Sequence, residues 1–201
     1  MSPAPETADL AALIRRLGEP DSAIREHASA ELFRRGRELG GVAAAKWFAD
    51  PEFAQHFALD ATHLPETTVG IAVTPESFDR IRDANGSPRL ADVPPDQDAR
   101  EFELHFARGV QVDILTTREP GGSGAIARYL QKFGEGIQQI EFLTRDVDTA
   151  TGILRSRFAV QPIYPATRPG ADGTRVNFFL AAAADGTKVL IELVEPAARK
   201  K

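Results

Sequence analysis

The spacing of apolar residues changes period once along the chain. From residue 8 to 57 it is helical: Leu10, Leu13, Ile14 and Leu17 form one stripe, and Ile24, Ala28, Leu32 and Phe33 form a second. Gly18-Glu19-Pro20-Asp21 separates these segments, and Asp50-Pro51 supplies an N-cap followed by proline at the first helical position. Three or four short helices are predicted. Helices this short need a neighbour to be stable, so Trp47, Phe48, Phe53 and Phe57 read as a packing surface rather than a ligand cage.

After His63-Leu64-Pro65 the period becomes two. Thr67 to Val73 predicts a strand, and Thr74-Pro75 opens a helix to about Ala84. The proline-rich segment from Pro88 to Asp98 reads as a loop holding a short strand near Leu90 to Val93. Strands follow at Glu101 to Ala107 and Val110 to Thr117, then a loop with three glycines between Pro120 and Gly124, then a helix from Ala125 to Phe133. From Gly136 the order repeats: a strand from Ile137 to Thr144, a helix opened by Asp146 and running to about Phe158, and strands near Val160 to Pro165, Arg175 to Ala182 and Val189 to Glu195. The pattern predicts an α+β fold of two tandem βαβββ modules, at about 66–117 and 136–196, within a domain spanning 66–197. A helical cap at 1–60 precedes it. Within the cap, Pro20 to Gly40 resembles one HEAT-type repeat, too little for a solenoid, which needs about three stacked units.

Composition narrows the function classes. With 201 residues, 42% of them hydrophobic, the chain can bury a core. Its net charge of -5 comes with no basic face interleaved with aromatics, which argues against a nucleic-acid partner. No apolar run approaches the ~18 residues of a membrane span, and Met1 to Asp9 lacks the pattern of a signal peptide, so a cytoplasmic location is expected. There is no cysteine, which removes disulfides, thiolate metal sites and cysteine nucleophiles together. The glycine-rich loop lacks the lysine of a phosphate-binding loop and reads as a linker.

Two stretches, Thr68-Val69-Gly70-Ile71-Ala72-Val73 and Gly134-Glu135-Gly136-Ile137-Gln138-Gln139-Ile140-Glu141-Phe142, resemble the openings of the two modules of the vicinal-oxygen-chelate superfamily, which includes glyoxalases, bleomycin-resistance proteins and dioxygenases. Val112-Asp113-Ile114-Leu115, the run from Ser123 to Phe133 and Val189-Leu190-Ile191-Glu192-Leu193 look most like the methylmalonyl-CoA epimerase branch. The likeness covers about two thirds of the chain and leaves the cap outside. It implies a curved eight-stranded mixed sheet around a cavity, with four side chains holding a divalent metal that stabilises an enolate-like intermediate.

Carried onto this sequence, the four ligand positions fall on Thr68, Asp113, Gln139 and Glu192, where the family has histidine, glutamate or glutamine, histidine and glutamate. Two imidazoles are thus replaced by a hydroxyl and an amide, leaving an all-oxygen set suited at best to magnesium or calcium. The implied cofactor is a weakly held divalent metal or, in preference, none. Glu192 is the candidate catalytic residue, as base or ligand; its alternative is a structural ion pair with Arg175 or Lys188. Asp92 lies near the family's second carboxylate and reads as a solvated loop residue. His27, His56 and His63 read as surface or core residues, while His105 is a relocated ligand only if its strand face points inward.

Three functions remain open. One is a glyoxalase-like lyase or isomerase that abstracts a proton next to a carbonyl of a small acid or thioester. Another is a metal-free protein that binds or sequesters a small molecule, with Phe142, Phe178 or Phe179 lining its cavity according to strand parity. The third is a protein-interaction role for the cap. A homodimer is the expected assembly.

Overall fold

The computed structural model describes residues 5–182 and 186–197, with side chains from Asp9 onward. The chain forms two compact units, one from the residues up to Gly36 with Val69–Gln138, the other from Arg37–Thr68 with the residues from Gln139 on. No helix among the described residues is long and apolar enough to cross a membrane.

The first unit contains α1 (Pro5–Arg16), the start of α2 (Ser22–Phe48), β1 (Thr67–Ala72, from Val69), the helix that follows it, β2 (Arg100–Phe106) and β3 (Val110–Thr116). The predicted stripes are buried at Leu13, Ile14, Leu17, Ala28 and Leu32, whereas Ile24 is 39% exposed. Arg25 fastens the α1–α2 turn, donating from Nη1 to the Glu19 and Pro20 carbonyls and from Nε to Asn85 Oδ1. β3 lies between a parallel β1, with Val69 opposite Val112, and an antiparallel β2, with Phe102 opposite Ile114.

The second unit contains the rest of α2, then α3 (Pro51–Ala54), followed in the chain by α4 (Pro75–Ala84) and α5 (Ala125–Phe133), which belong to the first unit. It continues with β4 (Gly136–Leu143, from Gln139), α6 (Val147–Arg157), β5 (Arg168–Pro169), β6 (Arg175–Ala182) and β7 (Lys188–Glu195). The side chains of Thr74 and Asp146 cap α4 and α6 as expected. β7 runs parallel to β4 and antiparallel to β6, and β5 adds to the far side of β6. Its core is aromatic: Trp47 meets Phe179 edge-on at 6.2 Å, Phe48 meets Phe142 at 5.2 Å, and Phe53 sits fully buried beside both Trp47 and Phe48. The cap aromatics are packing residues.

Three expectations change. Of the three or four short helices predicted for the cap, α1 and α3 are short, but α2 is a single 27-residue helix that runs through Gly36, Gly40 and Gly41. At Gly40 an added Cβ would lie 2.7 Å from Ile140 Cγ2, so close packing on β4 accounts for a glycine that helix propensity alone disfavours. The segments Leu90 to Val93 and Val160 to Pro165 are not strands. A backbone bond from Ala91 N to Glu101 O and a bridge between Pro162 and Phe179 are what the structure has in their place. Pro88, Pro94, Pro95, Pro162 and Pro165 lack the N–H a ladder requires. With β5 shifted to Arg168–Pro169, the described residues hold seven strands in place of the predicted eight.

Candidate functional site

Strand alternation decides what β4 and β7 present on each face. Ile140, Phe142, Ile191 and Leu193 are fully buried, and Phe142 meets the α2 aromatic Phe48. The opposite face therefore carries Gln139 and Glu141 from β4 and Leu190, Glu192 and Val194 from β7. Glu141 pairs in register with Glu192, which on its other side faces Phe178 of β6. The strand parity left open by the sequence is resolved: Phe142 and Phe179 belong to the helix-packed core, and Phe178 shares the face of Glu192.

Gln139 and Glu192 are 8% and 7% exposed. A carboxylate this buried needs a partner. Gln139 supplies it, donating from Nε2 to Glu192 Oε2 at 2.6 Å and, from the same nitrogen, to Glu141 Oε1 at 3.1 Å. Hydrogen bonds to an ionised oxygen are about twice as strong as neutral ones. The two glutamates are thus tied to one amide. Beside them, Phe178 packs edge-on against Tyr164 at 5.9 Å, and the Arg168 guanidinium lies 4.4 Å from the Tyr164 ring centre. A polar cluster with an aromatic wall results.

Of the four carried-over positions, Gln139 and Glu192 meet in the second unit. Thr68 is half-buried on β1. Asp113 belongs to the first unit, 5% exposed on β3 and opposite Gly70 and Glu103. No role falls to Glu141 from the sequence. Its parity with Gln139 was legible, and its register with Glu192 was not.

Arg175, one of the two cations weighed as a partner for Glu192, reaches Glu195 at 3.0 Å and also Asp148. His105 is exposed and bonded to Glu103 Oε2 at 2.8 Å, on the strand face that Glu103 shares with Asp113 of β3 and opposite the one on which Phe102 meets Phe78 of α4. Asp92 is an exposed loop residue; His27 and His63 are exposed, and His56 is half-buried. Just before the glycine-rich loop, the N–H groups of Arg118 and Glu119 donate to Asp98 Oδ1 at 3.0 and 3.1 Å.

The divalent metal implied by the resemblance does not fit this donor set. Gln139 turns an N–H nitrogen, which cannot ligate, toward both carboxylates. Among the described residues no group of three His, Cys, Asp or Glu side chains is placed to hold an ion.

No protein-family model matches the chain, and no curated protein matches it. Solved structures do. Methylmalonyl-CoA epimerase from Mycobacterium tuberculosis is 34% identical, covering 66% of this chain and 87% of its own, with a TM-score of 0.54. A hypothetical protein from Bacillus halodurans is 27% identical over 67% of this chain and 95% of its own, at 0.54. A Streptomyces coelicolor methylmalonyl-CoA epimerase in complex with 2-nitronate-propionyl-CoA is 26% identical over 65% and 96%, at 0.51. The chain belongs to the vicinal-oxygen-chelate superfamily. Within it, the named enzymes it resembles are methylmalonyl-CoA epimerases.

Proposed function

We propose that the protein is an epimerase-like isomerase or lyase that removes a proton from the carbon next to the carbonyl of an acyl thioester, with Glu192 as the base. The observation that carries this reading is the buried Glu192 carboxylate, held by Gln139 with Glu141 beside it, on a half-exposed sheet face. A general base must be fixed within reach of the proton it takes, and a residue oriented by a second group meets that need. Gln139 orients Glu192, and Phe178 with Tyr164 offers an apolar wall against which the acyl group can rest. The likeness to epimerases that act on CoA thioesters supports the substrate class.

The test is proton exchange. Methylmalonyl-CoA incubated with the protein in deuterated buffer should lose its α-proton signal faster than the protein-free control. Glu192→Gln should slow that exchange by about 10²-fold or more, the usual contribution of a positioned base. Absence of exchange with a folded wild-type protein would refute the reading.

A second reading, a metal-free protein that binds or sequesters a small molecule, is favoured by the exposure of Ile163 (48%) and Leu180 (52%) near the aromatic wall. Binding of a CoA thioester without exchange would select it.

A further inference from the structure

We propose that the Gln139 amide stands in the place of a cation between Glu192 and Glu141, so that this site is built to work without a metal. Two glutamates on adjacent parallel strands, in register and on one face, repel each other unless something positive or hydrogen-donating lies between them. An ion is one answer and an N–H donor is another. An amide nitrogen has two hydrogens to give, and here one goes to each carboxylate, at 2.6 Å and 3.1 Å. The donor capacity of Gln139 is spent on this pair.

For an ion to enter, the amide would have to turn its oxygen toward the carboxylates and lose both charge-assisted bonds. The ion would also have to shed water, which magnesium does reluctantly. The cluster thus competes against the ion at the point where it would bind. An imidazole at position 139 would reverse the balance, offering a nitrogen lone pair beside two carboxylates, a set that suits zinc or cobalt. This holds whether the site turns substrate over or only binds it.

The experiment measures metal directly. Wild-type protein purified without chelator is assayed by elemental mass spectrometry, then titrated with Co²⁺ by calorimetry beside Gln139→His and Gln139→Ala, each checked for folding by circular dichroism. Thermal melting of the wild type is recorded with and without chelator. The expected result is a wild type with no stoichiometric ion, unchanged melting in chelator, and Co²⁺ binding to Gln139→His at least about tenfold tighter than to the wild type. Gln139→Ala, with the N–H groups gone, should also bind Co²⁺ more tightly than the wild type.

A stoichiometric ion in the wild type, or a melting temperature that falls in chelator, would overturn the proposal. So would folded variants that gain no affinity. If neither variant folds, the wild-type metal content and melting decide alone. Failure of the proton-exchange assay leaves these outcomes untouched, so the two readings fail separately.

Discussion

The packing of α2 on β4 can be tested at one glycine. Alanine at position 40 should gain about 1 kcal/mol from helix propensity. Against this, its Cβ would lie 2.7 Å from Ile140 Cγ2, 3.2 Å from Ile140 Cβ and 3.2 Å from Phe142 Cζ, where ordinary contacts begin at 3.4 Å. Ile140 is fully buried, and its β-branched side chain is stiff at χ1, so its methyl cannot swing aside cheaply. Overpacking of this kind costs about 1–3 kcal/mol. The clash outweighs propensity, and Gly40→Ala should lower stability by about 1 kcal/mol, a fall in Tm of about 2–4 °C for a chain this long. Gly152, exposed on α6 with nothing within 4 Å of an added Cβ, isolates the propensity term. Gly152→Ala should raise stability by about 0.8–1 kcal/mol. Urea denaturation of both variants reads the difference, and in an Ile140→Ala background, which removes the opposing methyl, Gly40→Ala should become neutral or stabilising. If Gly40→Ala stabilises as much as Gly152→Ala in the wild-type background, the close approach of helix and strand is wrong.

Three further outcomes follow from the same structure. Burial pushes the Tyr129 hydroxyl from 10.0 up to about 12. Across that window the unfolded chain has lost a proton that the folded chain keeps, so stability should fall from pH 10 to 12 by up to about 1.4 kcal/mol per unit. Denaturation of Tyr129→Phe at several pH values should lack that contribution. Asp98 accepts from Thr117 Oγ1 at 2.6 Å as well as from the Arg118 and Glu119 amides, and Asp98→Ala should cost about 1–3 kcal/mol in denaturant unfolding. Phe53→Ala, at a fully buried ring touching Trp47, Phe48 and Phe57, should cost about 3–5 kcal/mol by the same measurement; a loss below 1 kcal/mol would contradict the aromatic core.

What the sequence revealed depended on how local the deciding force was. The bounds of α5 and β6 matched the expected Ala125 to Phe133 and Arg175 to Ala182, because glycines flank the one and a short apolar run from Phe178, entered through Val176, marks the other. The caps at Thr74 and Asp146 were legible for the same reason, since the bonding groups lie within three residues. The continuity of α2 was not legible: helix propensity disfavours Gly36, Gly40 and Gly41 within one helix, and the close packing that accounts for Gly40 comes from Ile140, a hundred positions along the chain. Apolar runs near Leu90 and Val160 looked like strands, but their prolines leave too few donors for a ladder. At the site, strand alternation is enough to put Gln139 and Glu141 on one face of β4, while the pairing that joins them to Glu192 is a register between strands some 50 residues apart.

That register ties the chemistry to the core. β4 and β7 hold it because Ile140, Phe142, Ile191 and Leu193 must all face the same apolar layer, and a slip of one residue would reverse every side chain. The slipped strand would bury Glu192 among apolar side chains and lift Ile191 into its place, an exchange that costs an unpaired buried charge on one face and lost burial on the other. The apolar residues between the polar ones therefore fix where the amide and the two carboxylates meet. Polar substitution at Ile191 should accordingly disturb the Gln139–Glu192 contact although Ile191 faces away from it, and proton exchange by Ile191→Thr should fall further than its loss of folded protein accounts for. Exchange that tracks only the folded fraction would show that the site keeps its geometry without that support.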